Sequence, residues 1–330
     1  MVFEVFVAKP RGFCGGVEMA VDLLEIVLEI YGPPIYMKHQ IVHNDFIVQH
    51  FQEKGVIFVE TVEEIPSGAV AVFSAHGSPP EDYEIAEARE IEVIDAVCPL
   101  VLKVHNEAIK YAKQKYTIIV VGHRDHIEPR GVLGRIPKLQ RRFVETTEEA
   151  KAVQVPDPSR VVRLTQTTLS EDDVEDVTRV LRQRFPKLLE KKDICYATDN
   201  RQAAVKELAK KADLVLVVGS QESSNSNRLR EVAKAYGAKE AHLIARANDI
   251  YVDWLKGVKT VLVTSGASTP EKLVKEVLDY LEKQGAGSIE ELAVVEEDVS
   301  PFKFPEELVL KAEEKGLDVA QIRRTISELT

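Results

Sequence analysis

The stretch that decides the fold is Arg11-Gly-Phe-Cys-Gly-Gly, which follows the apolar run of residues 2–8. After it, apolar side chains recur at helical period over residues 17–28. A β-branched run, a glycine-containing turn and a helical period predict a strand, a loop and a helix in that order. Cys14 therefore stands at the predicted start of a helix, where the helix dipole and free N–H groups favour an ionised thiol.

The other two cysteines of the 330-residue chain, Cys98 and Cys195, have the same setting. Each follows a predicted strand and precedes an amphipathic helix, and beyond Cys195 the pair Asp199 and Gln202 resembles a capping box. Thiolates are the usual protein ligands of iron–sulfur clusters. Three converging thiolates could hold a cubane at three irons and leave the fourth open to a substrate. Taken alone, Cys98 could equally be an inert buried thiol.

Short β-branched runs alternate with helical segments along the chain, which predicts an α/β fold with small, mostly parallel sheets. The cysteines are spaced by about one small α/β unit. We therefore predict three related units around a central iron–sulfur cluster, at residues 15–97, 98–194 and 195–285. The N-terminal strand, within residues 1–13, is expected to join the third unit, and residues 286–330 are expected to form a C-terminal tail and extension.

Composition limits the classes of partner and location. The net charge is −11 and no basic run exists, which argues against nucleic-acid binding. No apolar run approaches the ~20 residues of a membrane span, and we expect no signal peptide. Three cysteines are too few and odd in number for a disulfide framework, so we expect a reducing, cytoplasmic setting.

Five predicted strands run directly into polar clusters; they span residues 69–73, 117–121, 161–164, 214–218 and 260–263. In open parallel sheets, ligands bind outside the carboxyl ends of the strands. Small hydroxyls, amides, glycines and helix N-termini are suited to an anionic phosphate group. The chain has neither a GxxxxGK[ST] loop nor a GxGxxG motif, so nucleotide hydrolysis and nicotinamide binding lack their main signal.

Each of these motifs also has a simpler explanation. One Ser-rich loop at a strand end is most often a helix cap. His126 and Glu128 could be half of a zinc site, although a single pair without a third partner is weak evidence. His50, His105 and His242 are assigned no role, since lone histidines are more often packing or surface residues.

Eight stretches together are similar to one known family. They are Pro10-Arg-Gly-Phe-Cys-Gly-Gly-Val, His39-Gln-Ile-Val-His-Asn, Phe73-Ser-Ala-His-Gly, Asp95-Ala-Val-Cys-Pro-Leu-Val, Thr165-Gln-Thr-Thr-Leu-Ser, Asp193-Ile-Cys-Tyr-Ala-Thr-Asp-Asn-Arg-Gln, Gly219-Ser-Gln-Glu-Ser-Ser-Asn-Ser-Asn-Arg-Leu and Gly266-Ala-Ser-Thr-Pro. Over residues 1–308 the chain resembles the 4-hydroxy-3-methylbut-2-enyl diphosphate reductases.

The resemblance implies an enzyme of the last step of the methylerythritol phosphate route to isoprenoids. Such an enzyme reductively removes the allylic hydroxyl of its substrate and forms isopentenyl diphosphate and dimethylallyl diphosphate. The family implies a [4Fe-4S] cluster on Cys14, Cys98 and Cys195. It also implies an electron donor such as flavodoxin or ferredoxin.

The resemblance further implies roles for the strand-end residues. The diphosphate would be held by His43, His76, His126, Ser223, Ser224, Asn225 and Ser268. Glu128 would deliver protons, because hydroxide leaves readily only when protonated. Thr167 would lie close to the substrate hydroxyl and contribute to both binding and catalysis.

The chain departs from the family pattern in two places. After Glu128 it has Pro-Arg-Gly131-Val132, where the family usually has a Gly-Thr pair. Beyond residue 308, apolar residues at roughly helical spacing predict a packed or capping helix; they are Leu308, Ala312, Val319, Ile322 and Ile326.

Two other classes of function are considered besides the reductase. A cluster- or zinc-binding regulator would explain the cysteines but would not need Glu128. A phosphate-binding transferase with incidental thiols would tolerate replacement of each cysteine by serine.

Overall fold

The computed structural model describes residues 2–297 and 300–320. The strands are β1 Phe3–Lys9, β2 Ile35–Lys38, β3 Val56–Val59, β4 Val70–Phe73, β5 Glu92–Asp95, β6 Thr117–Val121, β7 Arg141–Val144, β8 Val161–Thr165, β9 Leu189–Glu190, β10 Leu214–Val218, β11 Glu240–Ile244, β12 Thr260–Ser265 and β13 Ala286–Ala293. The α-helices are α1 Gly15–Tyr31, α2 Asp45–Glu53, α3 Pro80–Ala88, α4 Pro99–Lys113, α5 Ile127–Gly134, α6 Thr147–Ala152, α7 Glu171–Arg184, α8 Tyr196–Leu208, α9 Ser224–Ala235, α10 Glu271–Lys283 and α11 Glu306–Glu314.

The strands form three separate parallel sheets. Their strand orders are β3-β2-β4-β5, β7-β6-β8-β9 and β11-β10-β12-β1-β13. Every strand pair in these sheets is parallel. The predicted α/β fold with small parallel sheets is therefore confirmed.

The central strands are covered on both faces, and their sequences show why. β6 and β10 each consist of five residues that are all buried, and β10 is aliphatic throughout. A strand of a parallel sheet covered by helices on both faces has a continuous apolar sequence. Its polar residues are displaced to the loop that follows it, which is where the candidate site residues lie.

The N-terminal strand lies inside the sheet formed by the last third of the chain. β1 pairs with β12 on one side and with β13 on the other, so that Val5 lies opposite Val261 and Ile289. Residues 286–293 are thus an edge strand, whereas the sequence predicted a tail there. The pattern Gly-Ser-Ile-Glu-Glu gave little signal, because this strand is largely exposed and joins the sheet mainly through its backbone.

The C-terminal helix packs on the first unit. Leu308 and Ala312 of α11 are buried in the core formed around α1, and Val319 packs against the same core. The Lys315 ammonium also donates to the Ile30 carbonyl at the end of α1. The predicted packed helix forms at Leu308 and Ala312, whereas Val319 packs beyond the end of this helix at Glu314, and Ile322 and Ile326 lie outside the described residues. Within the described ranges, no helix combines the length and apolar character that crossing a membrane requires.

Candidate functional site

The three cysteines are the N-cap residues of three helices, Cys14 of α1, Cys98 of α4 and Cys195 of α8. All three line one cavity between the units. Gly16 permits their approach, because a Cβ atom there would lie 2.6 Å from Cys98 Sγ and 3.9 Å from Cys14 Sγ. The cysteines therefore meet although they come from different parts of the chain.

The start of α8 differs from the expected capping box. Cys195 is itself the N-cap, and its sulfur accepts a hydrogen bond from the Thr198 N–H at 3.4 Å. Asp199 and Gln202 lie inside the helix, and the Gln202 amide donates to the Leu169 carbonyl. The capping-box prediction was wrong because a thiol, which is an unusual cap, takes the role of the expected carboxylate.

The charge state of the thiols also differs from the sequence expectation. Burial raises the pKa of Cys98 to about 12, and the nearby Cys14 and Cys195 add to the rise. Burial and Cys14 raise the pKa of Cys195 to about 11. Backbone N–H groups at the helix starts lower both pKa values, but by less than burial raises them. The helix N-termini alone therefore do not ionise these thiols.

These thiols fit the iron–sulfur cluster that the sequence predicts. A coordinated metal ion deprotonates a bound thiol outright, so iron would supply the positive charge that burial requires. Across residues 2–297 and 300–320, no three His, Cys, Asp or Glu side chains have the geometry for a single metal ion. A cubane instead distributes its thiolates over separate irons, and three thiols around one cavity suit that arrangement.

Three histidines gather beside the thiols. The ring centroids of His43 and His76 are 4.3 Å apart, and that of His126 lies 5.6 Å from His43 and 5.8 Å from His76. Burial lowers the pKa of all three rings, that of His76 well below its ordinary value and that of His126 to about 3. The rings are neutral near pH 7, and a bound anion would raise their pKa values.

Glu128 is held by Thr167 at the end of the neighbouring strand. The Thr167 N–H donates to Glu128 Oε1 at 2.7 Å, and the Thr167 hydroxyl donates to Oε2 at 3.0 Å. Burial raises the pKa of Glu128 to about 7, although both hydrogen bonds lower it. Close to neutral pH this carboxyl group is therefore an available acid.

The unusual sequence after Glu128 forms helix α5. His126 is its N-cap, and His126 Nδ1 accepts from the Glu128 N–H at 3.2 Å. Proline is tolerated in a first turn, where the N–H has no helical acceptor, and Pro129 lies there. The histidine and the carboxyl group are therefore fixed by one helix start despite the altered sequence.

The third unit contributes the N-terminus of α9. Ser223 is the N-cap, and Ser224 Oγ accepts from the Thr168 hydroxyl at 3.0 Å across the boundary with the second unit. Asn225 is buried, and neither amide atom has a hydrogen-bond partner among the described residues. Ser268 Oγ donates to the His43 carbonyl and so joins the third unit to the first.

Every site residue predicted from the sequence lines the same cavity. Sequence reasoning missed residues that hold the cysteine loops. Arg201 is fully buried and donates to the Gly12 carbonyl at 2.8 Å and to Glu297 at 2.9 Å. The Gly15 N–H donates to the Tyr196 hydroxyl at 3.1 Å. Arg201 and Tyr196 both lie in the quoted stretch around Cys195, so their position in that motif was the available signal.

The fold and site define a three-unit α/β protein whose helix-capping cysteines meet in one cavity with clustered histidines and a buried carboxyl group. The LytB protein family profile matches residues 5–282. The chain belongs to this family.

Similar proteins support this assignment. A 4-hydroxy-3-methylbut-2-enyl diphosphate reductase of Acidothermus cellulolyticus is 50% identical over 315 residues, covering 95% of this chain and 92% of the relative. One from Rhodopirellula baltica is 47% identical and covers 95% and 98%. The solved structure of the E-1-hydroxy-2-methyl-but-2-enyl-4-diphosphate reductase from Plasmodium falciparum has a TM-score of 0.92 at 34% identity, covering 96% and 100%. A second solved reductase, described as the terminal enzyme of the non-mevalonate pathway, has a TM-score of 0.60 at 31% identity, covering 85% and 99%.

Proposed function

We propose that this chain is an oxidoreductase that converts (E)-4-hydroxy-3-methylbut-2-enyl diphosphate into isopentenyl diphosphate and dimethylallyl diphosphate. The substrate takes up two electrons and two protons, its allylic C–O bond breaks, and water leaves. The observation that carries the proposal is one cavity that brings together three thiols, three imidazoles and a buried acid. Relatives that share about half of this sequence carry the name of this reductase.

Cys14, Cys98 and Cys195 would hold a [4Fe-4S] cluster, as their mutual approach and the raised pKa values of Cys98 and Cys195 support. When bound, the cluster would supply the electrons and an open iron that acts as a Lewis acid. A flavodoxin or a ferredoxin would deliver the electrons to it. We propose a cytoplasmic location, in keeping with three unpaired cysteines.

The diphosphate would be bound by side chains from all three units. The α9 start offers unsatisfied N–H groups and a helix dipole that favour an anion. Asn225 supports this role most directly, because its buried amide has no partner among the described residues until a ligand provides one. The proposed ligands are His43, His76, His126, Ser223, Ser224, Asn225 and Ser268.

Glu128 would protonate the leaving oxygen. A proton on Oε2 can pass to the Thr167 hydroxyl oxygen, while that hydroxyl gives its own proton to the leaving group. The separation of 3.0 Å between these oxygens supports such a relay. Apolar side chains of Val17, Val42 and Leu100 line the same cavity and would exclude water from the hydrocarbon part of the substrate.

The test is the Glu128→Gln variant, purified without air and assayed with a low-potential electron donor. We expect the iron and sulfide content of the wild type, with turnover reduced by about 100-fold to 10,000-fold because the acid is lost. The matched control is Glu25→Gln, which removes a buried carboxylate that pairs with His50 and Lys54 away from the cavity. Full turnover of Glu128→Gln would contradict the acid role, and a wild-type protein without substrate turnover would contradict the proposed reaction.

A further inference from the structure

His105 is a buried polar residue to which neither the cavity nor the proposed reaction assigns a role. It lies on α4, about two helical turns after Cys98, and only 1% of its side chain is exposed. Neither ring nitrogen has a hydrogen-bond partner among the described residues. A buried polar group without a partner costs stability, and an apolar side chain of similar volume would cost less. The presence of an imidazole here therefore needs another explanation.

One edge of the His105 imidazole ring forms a wedge against the junction of two glycines. A Cβ atom on Gly77 would lie 2.6 Å from His105 Cε1, and one on Gly131 would lie 3.2 Å from His105 Nε2. The Cβ on Gly131 would also lie 3.3 Å from the Gly77 carbonyl oxygen. The two backbone segments therefore come close enough to touch the ring only because both positions lack a side chain.

The two glycines belong to segments that carry candidate site residues. Gly77 directly follows His76 after β4, and Gly131 lies one helical turn after Glu128 on α5. These segments come from different sheets, and Arg135 joins them again through a 3.1 Å hydrogen bond to the Ser78 carbonyl. The Cε1–Nε2 edge of the His105 ring thus packs against the junction where the backbone next to His76 meets the helix that holds Glu128.

We propose that His105 is a positioning residue that braces this junction and so fixes the relative position of His76 and Glu128. The inference rests on the proposed function for the roles of those two residues, whereas the wedge itself rests on steric contacts. Burial and the Arg135 charge lower the pKa of His105 to about 3, so the ring is neutral near pH 7.

The test is a double-mutant cycle between His105→Ala and Gly131→Ala in the cluster-loaded protein. The first change opens the space, and the second pushes a methyl group toward it. We expect each single variant to lower kcat by about 10-fold to 100-fold, because displacement by a fraction of an ångström misaligns the acid. In the double variant the methyl group can shift into the vacated space, so kcat should exceed that of either single variant.

Two further variants separate positioning from stability. His105→Leu should raise Tm, because it removes an unpartnered polar group, and should still lower kcat, because a branched side chain does not reproduce the flat ring edge against the two glycines. Val104→Ala is the matched control on the same helix; it shortens a buried side chain of the second-unit core and should lower Tm without changing kcat. Iron content should be equal in all variants.

The affinity for inorganic diphosphate, measured by calorimetry for the same variants, tests the wedge without an activity assay. We expect lower affinity in both single variants, because His76 moves in each. If the wild type proves inactive but the double variant recovers affinity, the wedge is supported and only the proposed reaction is refuted. Unchanged kcat and affinity in His105→Ala would overturn the inference. A double variant no better than the poorer single variant would also overturn it.

Discussion

Burial shifts pKa values in opposite directions at the thiol end of the central cavity, where Cys98 and Cys195 lie, and at its imidazole end, where His76 and His126 lie. Burial raises the pKa values of Cys98 and Cys195, so the thiols remain neutral. Burial lowers the pKa values of His76 and His126, so the imidazoles also remain neutral. Under the proposed function, each end would acquire its charge only with its ligand, iron at the thiols and an anion at the imidazoles.

The second difference lies in how the two ends are held. At the thiol end, the loops are fixed by protein contacts such as the buried Arg201, which binds the Gly12 carbonyl. At the imidazole end, where an anion is proposed to bind, the helix start is fixed but Asn225 has no partner among the described residues. We infer that the thiol end is preorganised by the fold, while the imidazole end is completed by the ligand.

The largest effect should come from removing a cysteine at the thiol end. Replacing Cys98 by Ser should abolish cluster retention and leave no measurable turnover, because a neutral hydroxyl is a poor iron ligand. Iron and sulfide analysis of anaerobically purified protein checks the first result, and a substrate assay the second. The control is the unfolding temperature of the cluster-free forms, which should be the same with Cys98 or Ser. A serine variant with full activity would favour the transferase with incidental thiols.

Two asparagines of helix α9 allow a matched comparison at the imidazole end. Asn225→Ala should weaken binding of inorganic diphosphate by about 10-fold to 100-fold, since a hydrogen bond to a charged group contributes about 1.5–3 kcal/mol. It should not lower stability, because the amide has no partner among the described residues.

The neighbouring Asn227 is the matched control for that prediction. Its amide donates to the Gln221 carbonyl at 2.7 Å and to the Ser223 carbonyl at 3.1 Å. Asn227→Ala should therefore cost about 1 kcal/mol of stability and change the affinity little. Titration calorimetry and urea unfolding of both variants check the contrast. Equal loss of affinity in both would contradict a specific role for Asn225.

The smallest effect should be a pH dependence of stability from the imidazoles. In the unfolded chain each ring takes up a proton near pH 6.5, but the folded pKa of His126 is about 3. The unfolded state binds more protons below pH 6.5, so stability falls as pH decreases from there toward the folded pKa. The slope is at most about 1.4 kcal/mol per pH unit for each ring.

This pH dependence is best measured in the Glu128→Gln background. The pKa of Glu128 is raised to about 7, so its effect has the opposite sign: stability falls as pH rises from about 4.5 to 7. In that background, urea unfolding between about pH 7 and pH 5 should show decreasing stability, and His126→Gln should flatten the slope. Saturating inorganic diphosphate should flatten it too. An unchanged slope in His126→Gln would contradict the neutral, buried ring.

The sequence predicted the parts of this molecule that depend on local pattern. The strands that end at Phe73, Val121 and Val218 and the helix starts at the cysteines follow from apolar periodicity and turn residues. The edge strand β13 was missed because exposed strands carry little apolar pattern.

Other features depend on contacts between distant segments. The raised thiol pKa values arise from burial by all three units, which local sequence does not report. The position of His105 depends on Gly77 and Gly131, which meet only in the folded chain. The identities of the site residues were predictable from the sequence, whereas their protonation states and their spacing were not.

The central claim is that the three thiols hold a four-iron cluster with one iron open to the substrate. The most direct measurement is a Mössbauer spectrum of iron-57-labelled protein, prepared without air, with and without the substrate. We predict that one iron site of four differs from the rest and that its signal alone changes when the substrate is added. Protein without a four-iron cluster, or a spectrum in which no single site responds to the substrate, would contradict the claim.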